Sequence, residues 1–244
     1  MFCSPENRLL GTRRAWMRLA AALAAHAAHG KELLRMDPPS QEDLDPALVN
    51  LLERLRTLVA ARKHLPLEAL MATTFKVDFD MGKGPAAFRL RWRPQSAASP
   101  VWPVLERLLA LPGHRYSDTL YAFPYICARF PFDLDPLRHV VAVKDGVNLI
   151  AEPKSDAARV GTLNRSIVPL AQALEPPVLI PSDSFVELNH PDIGRCFAAS
   201  VDVYNPAAHR VFFEKRQGQW RWISLAAPTL KDPPGLHLQK PTAR

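Results

Sequence analysis

Residues 147–163 constrain the fold of this chain most, because they predict two short strands joined by a polar turn. Val147 and Leu149 are separated by one polar residue, so their side chains lie on the same face of a strand. Pro153 has no N–H to give to a sheet, and the first strand must end before it. Residues 159–163 then have the pattern of a returning strand.

From His139 onward, short segments that alternate apolar and polar residues are separated by turn residues, a pattern typical of small barrels. Strands are predicted at residues 139–143, 147–151, 159–163, 166–170, 184–188 and 195–199. Residues 210–215 and 219–226 flank Gln217-Gly218 and predict a hairpin, since glycine adopts a positive φ without strain. We therefore predict a strand-rich C-terminal unit over residues 138–228, followed by a tail at 229–244.

The first part of the chain carries helix patterns separated by prolines. Asp45-Pro46 is a strong helix start, and apolar residues at helical spacing continue to about Lys63. Residues 87–92 are compatible with a helix or a strand, and a helix is favoured. A further helix is predicted from Pro100, and a strand pattern lies at 75–80. Residues 123–137 contain three of the 24 prolines and predict an extended connector between the helical part and the strand-rich C-terminal unit. The fold class is therefore α+β, with a helical and mixed part at 37–137 before a small β-barrel.

Residues 1–36 admit two interpretations. Several arginines precede an alanine-rich apolar stretch that ends in small residues, which is the outline of a signal peptide. The same residues are strong helix formers from Arg13 to Met36 and predict an ordinary helix. The first interpretation implies the periplasm or cell envelope, and the second is compatible with the cytoplasm. No apolar run reaches the roughly 18 residues of a membrane span.

The strand–turn–strand pattern of residues 147–163 resembles the start of the bacterial SH3-like (SH3b) domain, whose usual motif reads V-N-L-R-x-x-P-S and then V-x-x-L. The residues that carry the resemblance are Val147-Asn148-Leu149-Ile150-Ala151-Glu152-Pro153, Ser155, Ala157 and Val160-Gly161-Thr162-Leu163. Ile150 stands where the family has arginine, and Phe185 stands where it often has tryptophan. The resemblance covers residues 138–205. The segment from Tyr204 to Trp220 is also similar to the close of exported SH3-domain proteins of unknown function.

The resemblance implies a barrel that binds peptides, cell-wall material or partner proteins. The sequence shows no credible catalytic set, so no enzyme activity and no cofactor are predicted. Trp220 and Trp222 lie two residues apart on the last predicted strand and therefore share a face, either packed inward or exposed to a ligand. The candidate binding residues are Asn148, Glu152, Phe185, Tyr204, Trp220 and Trp222.

The sequence supports a catalytic function less than it supports a binding function. Asp78 and Asp80 would share one face of a strand and could form an acid–base or metal pair, which is the alternative function. His190 with Asp192 resembles a base and its orienting acid, but no nucleophile is near and a turn is favoured. The sequence offers no spacing for a metal site, and its charge of +7 is scattered, so specific nucleic-acid binding is not predicted.

Cys127 and Cys196 lie in apolar surroundings and are expected to behave as small buried hydrophobes. The three cysteines give an odd count and no disulfide framework. Pairing of Cys127 with Cys196 in an oxidising compartment stays open from the sequence.

Overall fold

The structure, a computed structural model, describes residues 32–77, 82–175 and 183–226. Within these ranges the chain is α+β, as predicted, with five helices, twelve strands and one 3₁₀ turn at Ser200–Asp202. The helices are α1 (Pro46–Ala60), α2 (His64–Glu68), α3 (Gly84–Trp92), α4 (Val101–Ala110) and α5 (Tyr125–Arg129). The strands are β1 (Met71–Val77), β2 (His114–Ser117), β3 (Leu120–Phe123), β4 (His139–Ala142), β5 (Val147–Ile150), β6 (Arg159–Leu163), β7 (Ile167–Pro169), β8 (Phe185–His190), β9 (Gly194–Ala199), β10 (Val203–Tyr204), β11 (Arg210–Arg216) and β12 (Gln219–Ala226).

The described strands form three sheets, with no closed barrel among them. The five-stranded sheet has the order β1-β12-β11-β3-β2, the three-stranded sheet β10-β4-β7, and the four-stranded sheet β6-β5-β9-β8. A single bridge between Leu170 and Leu188 joins the two smaller sheets beyond the end of β7.

The predicted hairpin of β11 and β12 is confirmed, but its partners differ from the prediction. β11 pairs with β3, and β12 pairs in parallel with β1, so the hairpin belongs to the large sheet and not to the small strand-rich unit. The boundary predicted at residue 228 therefore groups the hairpin with the wrong strands. The strand predicted at 75–80 corresponds to β1, which begins earlier, at Met71. The side chain of Met71 is buried on the same face as those of Phe75 and Val77.

The three-stranded sheet is the seam between two cores. One face, with Val140, Val168 and Val203, packs with the four-stranded sheet in the smaller core. The other face, with Val141 and Tyr204, packs into the main core under the helices and the large sheet. The connector predicted as extended at 123–137 instead contains the short helix α5. The two parts of the chain are consequently packed together through a shared sheet.

Residues 34–36 form an edge segment, although helix formers extend to Met36. Arg35 bridges to Ser166, and the Ile167 N–H donates to the Leu34 carbonyl at 2.8 Å. The helix prediction is therefore wrong for these residues, because their backbone groups pair with residues 165–167 and this tertiary pairing outweighs the helix propensity. Residues 32 and 33 are not helical either. The rest of the predicted helix, residues 13–31, and the possible signal peptide lie outside the described residues.

Candidate functional site

The outer face of the four-stranded sheet brings together several of the predicted binding residues. Ile150 of β5 is paired with Phe197 of β9, and Phe197 is paired with Glu187 of β8. Paired residues in an antiparallel sheet point to the same side, and so do residues two apart. Asn148 and Phe185 therefore join Ile150 and Phe197 on one face, opposite the core-facing residues Val147, Leu149, Val186 and Leu188.

This face has an apolar centre with charges beside it. Arg195 lies 5.4 Å above the ring of Phe197, and it forms an ion pair with Glu187 at 2.5 Å. Phe197 is buried on the outer side and belongs to neither core cluster of the described residues. Asn148 is exposed and Phe185 is half-buried. The combination of aromatic, amide and guanidinium groups suits a peptide-like ligand better than a purely apolar one.

Glu152 lies in the turn after β5, as the sequence predicts. It is exposed, and its carboxylate accepts a hydrogen bond from Lys154 at 2.8 Å. An exposed pair of this kind contributes little to stability, so both groups remain available to a ligand at the end of the outer face.

Tyr204 does not belong to the outer face. Its side chain is buried in the main core, and its hydroxyl donates to the His209 carbonyl at 2.6 Å. Burial raises the pKa of Tyr204 well above its usual value. Its predicted contact with a ligand is inconsistent with this burial, because β10 lies against β4 at the seam.

Trp220 and Trp222 share one face of β12, as predicted, and that face is the interior. Trp222 is fully buried and packs edge-on against Phe75 and Phe88, so it has no surface for a ligand. Trp220 is also buried, but its edge lines a cavity of about 210 Å³. The sequence could not distinguish the inward face from an exposed one, because both give the same spacing.

The small cavity beside Trp220 is polar. Its lining residues are Asp43, Asp45, Leu48, Arg115, Ser117, Asp118, Tyr121, Lys215 and Trp220. Asp45 is the N-cap of α1, and its carboxylate also accepts from Lys215 at 2.6 Å and from the Trp220 indole at 2.9 Å. These hydrogen bonds, and that from the Ala47 N–H, lower the pKa of Asp45 to about 2. The arrangement ties the start of α1 to the hairpin.

Replacing Asp45 by asparagine should destabilise the protein near neutral pH and much less in acid. Asparagine still caps α1, so the change isolates the charge. The pKa of Asp45 falls from an ordinary 3.8 to about 2 on folding, so its stabilisation is present above the unfolded value and is lost as pH drops through about 2. Urea unfolding of both proteins at about pH 6 and near pH 2.5 measures the difference.

Asp43→Asn provides the control, because it removes the same charge from the rim of the same cavity without touching Lys215 or Trp220. If Asp45→Asn loses the same stability at both pH values, the carboxylate is not the group that links α1 to the hairpin.

The catalytic alternatives receive no support from the described residues. Asp78 and Asp80 lie outside them. The His190 ring accepts a hydrogen bond from the Asp192 N–H at 3.2 Å, which is the predicted turn. Cys127 and Cys196 are free thiols in or beside different cores, so they do not pair with each other. Burial raises the pKa of Cys127 to about 12, which makes it a poor nucleophile.

Within the described ranges, no group of three metal-ligating side chains is arranged around a common point. None of the helices there could span a bilayer.

No protein-family model matches the chain, and no curated protein does. Two solved structures are similar to it over much of its length. One is an NTF2-like protein with a cystatin-like fold from Novosphingobium aromaticivorans, at 13% identity and a TM-score of 0.29, over 97% of this chain and 100% of that one. The other is described as a calcium/calmodulin-dependent protein kinase II association domain from Xanthomonas campestris, at 8% identity and a TM-score of 0.25, over 83% and 100%. TM-scores this low do not establish a shared fold.

Proposed function

We propose that this protein is a non-catalytic binding protein and that residues 138–205 form an SH3-like barrel. The outer face of the four-stranded sheet is the observation that carries the proposal: Asn148 and Arg195 are exposed there, beside the half-buried side chains of Ile150 and Phe185. Peptide or cell-wall material is its ligand, because the face combines apolar side chains with hydrogen-bonding and charged groups.

The arrangement of the small sheets supports the barrel. The three-stranded and four-stranded sheets share one core, and a bridge between Leu170 and Leu188 joins their edges. A 3₁₀ turn at Ser200–Asp202 directly precedes the last strand, β10. β5 and β6 form the antiparallel pair predicted from the SH3b-like motif, with Asn148 opposite Thr162.

Binding to purified peptidoglycan sacculi tests the function. The intact chain should co-sediment with sacculi, and the double variant Asn148→Ala/Arg195→Ala should bind about tenfold more weakly, because arginine truncations are among the costliest at binding surfaces. Arg54→Ala is the control, since it removes one positive charge from an exposed position on α1.

Two outcomes contradict the proposal. In the first, the intact chain binds neither sacculi nor the soluble stem peptides of peptidoglycan. In the second, the double variant binds as tightly as the unmodified chain.

We also propose the periplasm or cell envelope as the location, with the cytoplasm as the alternative. The support is the basic and then alanine-rich composition of residues 1–30. Sequencing the N-terminus of the native protein tests it, and an uncleaved N-terminus in a cytosolic fraction would exclude it.

A further inference from the structure

A second cavity, of about 370 Å³, lies between α1, the end of α4 and β3, away from the outer face. Leu52 and Phe123 are buried and form its floor. Arg56 and Ala110 are exposed and lie at its rim. Its volume falls within the roughly 300–1,000 Å³ of small-molecule sites.

The lining is apolar except for two side chains, Gln41 and Arg56. The Gln41 amide is already used, because its oxygen accepts from the Tyr121 hydroxyl and its nitrogen donates to backbone carbonyls, including that of Gly113. No acidic side chain of the described residues lines this cavity. Arg56 is therefore the group that sets the charge a ligand must carry.

Arg56 is held in position on one side. Its Nε donates to the Leu109 carbonyl at the end of α4, at 3.3 Å, and its guanidinium lies 6.0 Å from the Phe123 ring. Its two terminal nitrogens have no hydrogen-bond partner among the described residues. An anchored guanidinium with a free edge suits a carboxylate, which accepts two parallel hydrogen bonds from it.

We propose that this cavity binds a small carboxylic acid with an apolar tail. The tail lies over Leu52 and Phe123, and the carboxylate lies at the rim against Arg56. An amine with a tail of the same length as the acid would be repelled, because its ammonium group and the Arg56 guanidinium are both positive. An alcohol would lack the second acceptor oxygen and the negative charge of the carboxylate. The site is separate from the outer face of the four-stranded sheet.

Calorimetric titration of the intact chain with octanoate, 1-octanol and octylamine tests the site. Octanoate should bind, with 1-octanol about tenfold weaker and octylamine weaker still, since charge-assisted hydrogen bonds are the strong ones. Arg56→Gln should lower octanoate affinity to that of 1-octanol. Arg54→Gln, which removes the same charge from the same helix, should leave it unchanged.

Ala110→Trp fills the rim from an exposed position and should abolish binding of all three compounds while far-UV circular dichroism stays the same. Absence of octanoate binding overturns the proposal, and so does equal octanoate affinity in Arg56→Gln and the unmodified chain. Asn148→Ala/Arg195→Ala should keep its octanoate affinity, so failure at this cavity and failure at the outer face are distinguished.

Discussion

Replacing Trp222 by alanine should lower the free energy of unfolding by about 3–5 kcal/mol, the usual cost of truncating a fully buried large aromatic side chain. The indole ring lies 4.9 Å from the Phe75 ring and 5.8 Å from the Phe88 ring, both edge-on. Its N–H donates to the Ser224 carbonyl at 2.8 Å. Alanine leaves a cavity where β12, β1 and α3 meet, and the neighbouring rings cannot collapse into it without moving these elements.

Urea unfolding followed by far-UV circular dichroism measures the loss, because that signal comes chiefly from the backbone and not from the tryptophan removed. Arg221→Ala is the matched control, since Arg221 precedes Trp222 on the same strand but is exposed. It should cost less than about 1 kcal/mol. If Trp222→Ala keeps its stability but loses affinity for sacculi, Trp222 is a binding residue and not a core residue.

The helices could be predicted because their signals are local. Asp45 caps α1 through its own side chain, which accepts from the Ala47 N–H two residues later. The prediction for residues 87–92 is confirmed by α3, and the helix from Pro100 is confirmed by α4. In each case the residues that determine the element lie within it or beside it.

Strand partners could not be predicted in the same way. The alternation in β11 and β12 specifies a hairpin, but it does not specify which edges the hairpin joins. That choice depends on Tyr121 and Phe123 of β3 and on Phe75 of β1, all far away in sequence. The hairpin buries its tryptophans in the same core as these residues, and the large sheet therefore joins strands from residues 71–123 with strands from residues 210–226.

The candidate site could be predicted only where local alternation or a motif indicates a side chain's direction. The alternation of residues 147–149 indicates the outward direction of Asn148. Phe185 is predicted from the SH3b resemblance, because it stands where that family often has tryptophan. Tyr204 lies on a strand of two residues, too short for alternation to indicate a direction. Arg56 and Phe123 were missed as a pair, because only the packing of α1 on β3 brings them together.

Replacing Arg107 by alanine should destabilise the protein by about 2–4 kcal/mol, because it leaves buried carbonyls without their donor. Arg107 belongs to α4, yet its guanidinium donates to the carbonyls of Ser200 and Val203 at the seam. The guanidinium also lies 5.5 Å from the Tyr204 ring. This side chain therefore ties a helix of the first part of the chain to the last strand of the small sheets.

The substitution Arg107→Met separates hydrogen bonding from packing, since methionine keeps an apolar stem but donates nothing. It should lose nearly as much stability as alanine, whereas Arg107→Lys should recover only part, because an ammonium does not reproduce the planar donor arrangement. Amide hydrogen exchange should quicken at Val203 and Tyr204 more than in α1, because the lost contact lies at the seam. Full stability in Arg107→Met would show that the two carbonyls do not need this donor and that packing of Val141, Ile167 and Tyr204 alone holds the two parts of the chain together.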